Sequence, residues 1–277
     1  MKRHTGVCAI HFKNFRPRTG LGIWKLLAIG MLLLSCAACT ERKEDAGLSI
    51  RQYPSLNFNE RSEPISMIVL HYTALPTCED ALTILSSPTN PAGRVSSHYL
   101  VDRDGTIYQM VDESKRAWHA GAGSWRELDD VNSRSIGIEI VNIGLDAEGK
   151  REPFPDAQID AVIALCKDIQ ERYGIAARDI VGHADMAPCR RQDPGEAFPW
   201  KKLSESGIGL WTDGFAETEN PIEEMLTAIG YDVSDLGNAL LAFKRHWYPE
   251  AITAGASNAL GRIGAVYQLV TQEETDN

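Results

Sequence analysis

Residues 65–73, "ISMIVLHYT", form an apolar run that ends beside a histidine, and this run decides the predicted fold. It carries no charge and is rich in β-branched residues, which is typical of a strand that is buried on both faces. Open α/β sheets tend to expose functional groups at the ends of such strands. We therefore predict an α/β fold around this strand and regard His71 as a candidate functional residue.

A second predicted strand, "SIGIEIVN" at 135–142, carries an acidic residue among isoleucines. Strand side chains alternate between the two faces, so Ile136 and Ile138 share one face and Glu139 lies on the other. Partial burial raises the pKa of a carboxyl group towards the range useful in general acid/base catalysis. Glu139 is therefore a candidate base, although a glutamate on a solvated sheet face would give the same pattern.

A third predicted strand, "RDIVGHADM" at 178–186, delivers His183 to its end, and the following loop carries Asp193. Two strand-end histidines and one aspartate would supply three ligands to Zn²⁺ and leave a fourth position for water, as hydrolytic zinc sites require. The same donors suit other divalent metals. Two alternatives stay open: the histidines are structural, or Cys189 replaces Asp193 as a ligand because thiolate binds zinc well.

The remaining patterns of the first domain predict the elements around these strands. They are a short helix at 78–87, a hairpin at 96–111 that turns at Arg103-Asp104-Gly105, and a long helix at 154–174. Cys166 lies on the apolar stripe of the long helix, so we predict a core thiol there and not a ligand.

The end of the chain has a different composition. Turn-forming residues at 206–219 predict a linker between a first domain at 64–205 and a second at 220–277. Because the second segment is short and helical throughout, we predict a small, separate all-α domain. Its helical patterns lie at 221–229, 234–247 and 256–270.

The overall composition is that of an ordinary soluble globular protein. The 277 residues are 43% hydrophobic and 24% charged, which is enough for one sizeable core and a small second one. The formal net charge is −10, and residues 1–40 hold six of the 28 basic side chains and no acidic one. The remainder thus sets 22 basic against 38 acidic side chains. Such an acidic body repels a phosphate backbone, which argues against general nucleic-acid binding.

The basic start of the chain leads into "LLAIGMLLLS" at 26–35, which is too short to span a bilayer. This segment resembles a bacterial export signal, with a buried helix as the alternative. Leu33-Leu34-Ser35-Cys36 is similar to the lipobox at which bacterial lipoproteins are cleaved and lipidated on cysteine. Cys39 is a rival site. We therefore predict a signal peptide at 1–36.

The polar segment at 37–63 is predicted to be a tether that leads from the anchor into the fold. Beyond it the chain has three cysteines, Cys78, Cys166 and Cys189. An odd number of cysteines does not make a disulfide framework, although one bridge is conceivable.

Five motifs occur in an order and spacing that look like those of one family. They are "VLHYTA" (69–74), "SSHYLVDRDGTIYQMV" (96–111), "AWHAG" (117–121), "SIGIEIVN" (135–142) and "GHADMAPCRRQDPG" (182–195). The chain resembles the type 2 zinc N-acetylmuramoyl-L-alanine amidases, relatives of the peptidoglycan recognition proteins. The resemblance implies a mixed central β-sheet flanked by helices. It also implies cleavage of the amide bond between the lactyl group of N-acetylmuramic acid and L-alanine of the stem peptide.

The resemblance assigns expected roles to single residues. One Zn²⁺ ion would be held by three ligands, His71, His183 and Asp193. Glu139 would be the catalytic base that deprotonates the attacking water at the zinc. Two further histidines, His98 and His119, would contact substrate or orient the site.

Arg191 departs from the family pattern, which usually has lysine two residues before Asp193. In the family this cation is held to stabilise the oxyanion of the tetrahedral intermediate, and a guanidinium group can provide the same charge. It cannot readily donate a proton, however, and its planar fork needs more room than an ammonium group. Arg190 is either a further cation of the site or a surface charge.

The tail segment "LLAFKRHWYPE" (240–250) is similar to the three-helix peptidoglycan-binding domain of lipoprotein members. Neither Cys36 nor Cys39 is followed by the aspartate that retains lipoproteins in the inner membrane. The resemblance therefore implies an outer-membrane lipoprotein that faces the periplasm. Its substrate would be peptidoglycan or a muropeptide, and the oligomeric state stays open.

Two other functions are compatible with parts of the pattern. A non-catalytic peptidoglycan-binding protein on the same fold is the main alternative, although such a protein has no reason to keep the three ligands together with Glu139. A zinc peptidase that acts on ordinary peptides is more remote.

Overall fold

The computed structural model describes residues 48–91, 93–255 and 258–276. The predicted signal peptide at 1–36 and both candidate lipidation sites, Cys36 and Cys39, lie outside the described residues. The strands are β1 (Ile50–Gln52), β2 (Phe58–Glu60), β3 (Met67–Tyr72), β4 (Tyr99–Val101), β5 (Ile107–Gln109), β6 (Lys115–Ala117), β7 (Ser135–Ile140) and β8 (Ile180–Gly182).

Six of these strands form one mixed sheet in the order β1-β5-β4-β7-β3-β8. The four strands β4, β7, β3 and β8 run parallel, β5 is antiparallel to β4, and β1 is parallel to β5. β3 is buried along its whole length, as its apolar sequence predicts. The predicted α/β fold with a mixed central sheet is confirmed.

Helices cover both faces of this sheet. They are α1 (Cys78–Ser86), α2 (Val131–Arg134), α3 (Asp156–Tyr173), α4 (His183–Met186), α5 (Trp200–Glu205), α6 (Ile222–Ile229), α7 (Leu236–Trp247), α8 (Glu250–Thr253) and α9 (Ala259–Asp276). None of the helices within the described ranges is long and apolar enough to span a membrane.

The long helix α3 packs its apolar stripe against the isoleucine face of β7. Ile159 and Ile169 of the helix share one hydrophobic cluster with Ile136 and Ile138 of the strand. Cys166 is fully buried in the same cluster, so the prediction of a core thiol is confirmed. The helix ends where Gly174 adopts a left-handed conformation, φ 64°, which glycine allows without strain.

The predicted hairpin joins β4 to β5. Its turn is closed by hydrogen bonds from Asp102 N to Thr106 O (2.9 Å) and from Gly105 N to Asp102 O (3.0 Å). Gly105 has a φ of +84° and lies against Ala157 of α3, where a Cβ atom would be 2.7 Å from a carbonyl oxygen. Glycine at this turn therefore lets the hairpin approach the helix.

The predicted tether at 37–63 extends too far into the chain. β1 and β2 both lie within it, and β1 forms an edge of the main sheet beside β5. Leu48 and Ile50 pack against the hydrophobic cluster of α3. A polar edge strand has little of the apolar signature of an inner strand because only part of it is buried, so the sequence pattern did not identify it.

The C-terminal helices cover the second face of the sheet. Met67 and Val69 of β3 share a continuous hydrophobic cluster with Leu226 of α6, Phe243 of α7 and Ile263 of α9. The three predicted helical patterns correspond to these helices, but the segment at 220–277 differs from the small separate module that we predicted. The physical reason is that this face of β3 is apolar and needs a cover, which the helices supply.

Candidate active site

The register of three parallel strands brings two histidines and one glutamate to one edge of the sheet. His71 of β3 pairs directly with Glu139 of β7. Leu70 pairs with Gly182, the last residue of β8, so His183 follows beside His71 at the start of α4. Because the three strands run in the same direction, their carboxyl ends meet at this edge.

Asp193 completes a group of three converging donor atoms with the two histidines. The Nδ1 atoms of His71 and His183 are 2.9 Å apart. Asp193 Oδ2 lies 3.1 Å from Nδ1 of His71 and 3.0 Å from Nδ1 of His183. A backbone hydrogen bond from Ala184 N to Asp193 O (2.8 Å) fixes the loop that returns this aspartate. The three residues named from the sequence therefore meet in one place, where all are buried.

The geometry of these donor atoms fits a tetrahedral metal ion. Zinc binds imidazole nitrogen and carboxylate oxygen at about 2.0–2.2 Å, so two tetrahedral ligand atoms are separated by about 3.3–3.6 Å. The sides of the observed triangle are only slightly shorter. Two imidazoles and one carboxylate also suit zinc and related divalent cations. The group can therefore hold one such ion.

The protonation states of two of these residues also suit ligation. Burial lowers the pKa of His71 to about 4, which keeps its ring neutral at physiological pH. Burial opposes ionisation of Asp193, but its close contacts with His183 and His71 hold its pKa well below its usual range. A neutral imidazole and an ionised carboxylate are the forms that bind metal.

Glu139 lies in the same cleft with one unpaired oxygen. Its Oε2 atom is enclosed by protein and has no hydrogen-bond partner within the described part of the chain. Burial, followed by the negative charge of Asp193, raises the pKa of Glu139 to about 8, while the positive charge of Arg191 opposes the shift. A carboxyl group with such a pKa can exchange protons near neutral pH.

A cleft of about 350 Å³ contains the three donor residues and Glu139. This volume lies in the range of small-molecule sites. The cleft is also lined by large apolar side chains, Leu75, Ile84, Leu85, Val95 and Trp118.

Arg191 also lines this cleft and is exposed to solvent. Its positive charge contributes to lowering the pKa of His71 and opposes the rise in the pKa of Glu139. The charge of Arg191 therefore acts on His71 and Glu139.

The two residues before Arg191 have different environments. Arg190 donates hydrogen bonds from Nη2 to the carbonyl oxygens of Ala120 (3.2 Å) and Ala122, so it joins two loops and is more than a surface charge. Cys189 is exposed and lies outside the three-donor group. The three cysteines of the described residues are all free, and no bridge joins them.

His119 and His98 were both expected near the substrate, and the structure separates them. His119 lines the cleft, although it is mostly buried. His98 is fully buried and is not part of the cleft wall. Its Nδ1 accepts a hydrogen bond from Gly137 N (2.9 Å) and its Nε2 lies 3.1 Å from Lys115 O. Of its two expected roles, contact with substrate is excluded by burial, and orientation of the site is what the geometry allows.

Arg61 is a positioning residue that sequence analysis missed. Its guanidinium group donates to backbone carbonyl oxygens of two segments, 113–115 and 132–135, including those of Glu113 (3.0 Å), Ser133 (2.6 Å) and Ser135 (3.1 Å). It thereby fixes the start of β7 near the cleft. Backbone acceptors leave no side-chain pattern in a sequence, so no signal could have identified this role.

A buried carboxylate beside His183 was also missed. Asp185 accepts hydrogen bonds from Tyr231 Oη (2.6 Å) and from Gly182 N (2.7 Å), and its Oδ2 is 2.7 Å from His246 Nδ1. Tyr231 and His246 belong to the C-terminal helical segment. This segment therefore holds the loop that carries two of the three donor residues.

The fold and this site define a class of protein before any comparison is made. A buried group of two histidines and one aspartate at the ends of parallel strands, beside a glutamate of raised pKa, is the arrangement of a metal-dependent hydrolase. The chain belongs to the N-acetylmuramoyl-L-alanine amidase family, whose family model matches residues 61–196.

Two curated relatives illustrate the extent of this similarity. The N-acetylmuramoyl-L-alanine amidase AmiD of Escherichia coli K12 is 35% identical over 257 residues, which cover 81% of this chain and 89% of AmiD. The 1,6-anhydro-N-acetylmuramyl-L-alanine amidase AmpD of Haemophilus influenzae is 36% identical over 174 residues, which cover 56% of this chain and 91% of AmpD.

Two solved structures have the same fold. A complex of E. coli AmiD with the substrate anhydro-N-acetylmuramic acid-L-Ala-D-γ-Glu-L-Lys matches with a TM-score of 0.64 and 31% identity, over 78% of this chain and 98% of AmiD. AmpDh3 of Pseudomonas aeruginosa in complex with anhydromuramic pentapeptide matches with a TM-score of 0.63 and 29% identity, over 79% of this chain and 95% of AmpDh3.

Proposed function

We propose that this protein is a zinc amidase that cleaves the bond between the lactyl group of N-acetylmuramic acid and L-alanine, in peptidoglycan or its fragments. The observation that carries the proposal is the meeting of three donor atoms and an unpaired, high-pKa carboxyl group at one sheet edge. Similarity to AmiD, which has been solved with an anhydro-muramyl peptide, supports a muropeptide substrate.

One Zn²⁺ ion would be held by His71 Nδ1, His183 Nδ1 and Asp193 Oδ2. When bound there, zinc supplies Lewis acidity that polarises a carbonyl group and acidifies water. The role of the protein is to hold the three donor atoms in position before the ion binds. The register of the parallel strands positions the two histidines, and the backbone hydrogen bond from Ala184 N to Asp193 O positions the aspartate.

Glu139 would accept the proton of the attacking water and deliver it to the departing amine of L-alanine. The unpaired Oε2 atom is available for this proton because no neighbouring side chain competes for it within the described residues. The raised pKa gives the carboxylate more affinity for the proton than a solvated glutamate has.

Arg191 would stabilise the negative charge that develops on the carbonyl oxygen during attack. It lies in the cleft wall, and its guanidinium group is permanently charged. Proton donation to the leaving group would then fall to Glu139 alone, since a guanidinium group does not release a proton in this pH range.

The alternative of a non-catalytic binding protein is disfavoured by the same site. A binder gains nothing from a buried, unpaired carboxyl group beside the three donor residues, because such a group reduces stability. An enzyme needs this group. Relatives with the amidase name also favour catalysis.

Mass analysis of muropeptide products tests the proposal directly. Purified protein is incubated with soluble muropeptides and, separately, with intact sacculi, each with and without a chelator. We expect release of free stem peptide that stops with chelator and returns with added zinc. Binding without any cleavage would contradict the enzyme, and unchanged cleavage in chelator would contradict the metal.

A matched pair of aspartate variants tests the metal assignment. Asp193 and Asp179 are equally buried, but Asp179 pairs with Arg126 away from the cleft. We expect purified Asp193→Ala protein to retain little zinc, whereas Asp179→Ala protein retains one ion per chain. Full zinc retention by Asp193→Ala would remove this residue from the ligand set.

The lipid anchor is a separate part of the proposal and rests on sequence alone. We propose that the mature protein begins at a lipidated Cys36, is held in the outer membrane and presents its catalytic domain to the periplasm. Cys36→Ser should abolish incorporation of labelled palmitate, and Cys39→Ser should leave it intact. The opposite pattern would move the anchor to Cys39.

A further inference from the structure

We propose that His119 and Ser135 are positioning residues that fix the tautomer of His71, so that its Nδ1 lone pair faces the metal. The inference rests on the proposed zinc site. It assigns to the "AWHAG" segment a task other than contact with substrate.

A chain of hydrogen bonds leads away from His71 into the protein. His71 Nε2 is 3.0 Å from His119 Nδ1, and His119 Nε2 is 3.3 Å from Ser135 Oγ. Ser135 Oγ in turn is 2.6 Å from the backbone oxygen of Val131. The chain therefore has three links and ends on a carbonyl group.

The last link fixes the direction of all the others. A carbonyl oxygen can only accept, so the Ser135 hydroxyl must donate to Val131 O. Ser135 Oγ is then an acceptor for His119 Nε2–H. A neutral imidazole carries one donor and one acceptor, so His119 Nδ1 accepts from His71 Nε2–H. This leaves Nδ1 of His71 unprotonated, as a ligand atom must be.

The local structure is built to hold His119 in this chain. The backbone N–H groups of His119 (3.0 Å) and Ala120 (2.8 Å) both donate to Asn132 Oδ1. The ring lies over Gly137 of β7, where a Cβ atom would be only 2.4 Å from its Cγ. Ser135, Gly137 and Glu139 lie at every second position of β7 and therefore on one face of the strand. This face thus carries both the hydrogen bonds to His119 and the proposed catalytic base.

The same short segment orients the second histidine of the site. His183 Nε2 is 2.9 Å from the backbone oxygen of Ala120, so Nε2–H donates to this carbonyl group and Nδ1 is the ring atom directed at the proposed metal site. His119 thus orients the ring of His71 through its side chain, and Ala120 orients the ring of His183 through its carbonyl group. Asn132 holds both residues. Outer hydrogen bonds of this kind orient metal ligands and raise their affinity.

Zinc affinity of purified protein is the first measurement, made by competition with a chromophoric chelator. His119→Leu removes the acceptor, and we expect zinc binding to weaken about 10- to 100-fold. His119→Asn can place an amide oxygen where Nδ1 was, so it should recover part of this loss. Ser135→Ala should weaken binding less than His119→Leu does. The control is Ser133→Ala, because Ser133 is a buried serine that takes no part in these hydrogen bonds. This variant should bind zinc as the wild type does.

Nitrogen NMR of the metal-free proteins is the second measurement and does not depend on activity. Wild-type His71 should show a protonated Nε2, and Ser135→Ala should populate the form protonated at Nδ1. Thermal unfolding of each variant checks that it is folded. Wild-type zinc affinity in both His119→Leu and Ser135→Ala, with an unchanged His71 tautomer, would overturn the proposal.

These results separate the two proposals. If the wild type cleaves muropeptides and the variants bind zinc normally, only the positioning role fails. If no muropeptide is cleaved but the variants lose zinc affinity, the positioning role stands and the proposed function fails.

Discussion

Two largely buried glutamates of this fold have opposite environments. Glu113 is surrounded by donors: Tyr99 Oη (2.8 Å), Tyr173 Oη (2.7 Å) and both Nη atoms of Arg172. Glu139 has no partner for its Oε2 among the residues described. Burial acts on both carboxyl groups in the same direction, yet the pKa of Glu113 is lowered and that of Glu139 is raised to about 8.

The difference lies in the donors and not in burial. Each hydrogen bond to an ionised carboxylate stabilises its charge, and Arg172 adds a full positive charge, so these effects exceed the desolvation of Glu113. Only the positive charge of Arg191, without a hydrogen bond, opposes the desolvation of Glu139. A fully paired carboxylate stabilises the fold, whereas an unpaired one is available for proton transfer.

Replacement of Glu139 should have the largest effect on activity. Glu139→Gln keeps the shape but cannot take a proton, so we expect amidase turnover to fall on the order of 100- to 10,000-fold. Zinc content should stay at the wild-type level because Glu139 is not a ligand. Product release measured by mass spectrometry checks this, with Glu113→Gln as the buried control that keeps its activity when folded.

Replacement of Glu113 should instead affect stability. Glu113→Gln loses the charge that Arg172 and two tyrosines are arranged to bind, so the free energy of unfolding should fall by about 1.5–3 kcal/mol. Urea denaturation measures this change. Glu171→Gln, at an exposed position of α3 next to Arg172, should be within about 0.5 kcal/mol of the wild type. Equal stability of Glu113→Gln and wild type would show that the network contributes nothing.

The pH dependence of stability should have opposite signs at the two sites in metal-free protein. The lowered pKa of Glu113 gives stability that is present above its ordinary pKa of 4.5 and is lost as pH falls through the folded-state value. The raised pKa of Glu139 costs stability as pH rises from 4.5 to about 8. The stability of Glu139→Gln relative to the wild type should therefore increase as pH rises through this range. The stability lost in Glu113→Gln should become smaller as pH falls below 4.5, because the wild type then loses the same contribution. Urea titrations at several pH values check both trends.

The smallest change is expected at Arg191, the cation whose charge acts on Glu139. Arg191→Lys keeps the positive charge and restores the residue that the family pattern usually has, so turnover should change by less than about tenfold. Arg191→Met removes the charge, so its turnover should be lower than that of both the wild type and Arg191→Lys. A large gain in Arg191→Lys would indicate that proton donation from this position matters in the reaction.

Much of the site could be predicted because its residues stand at strand ends or interrupt apolar runs. His71 and His183 follow β-rich segments, and Glu139 is an acidic residue within one. The positioning residues could not be predicted. Arg61 and Asn132 act through backbone groups of distant segments, and Ser135 resembles any strand serine until its partner His119 is placed over Gly137.

Two expectations from sequence differ in part from the structure, for a related reason. His98 stands in a family motif like His119, but its full burial, which keeps it out of the cleft wall, is a property of the packed sheet. The edge strand β1 lies in a polar segment that resembles a tether, and only its pairing with β5 makes it part of the fold.

The sequence by itself determined the α/β class, the inner strands and the candidate chemistry, because alternation and apolar runs reflect which side chains leave water. The tertiary structure alone decided which histidine faces the cleft, which glutamate is paired and how the C-terminal helices cover the sheet. These depend on contacts between residues far apart in the chain. A hydrogen-bond donor or acceptor becomes specific only when folding brings its partner to within about 3 Å.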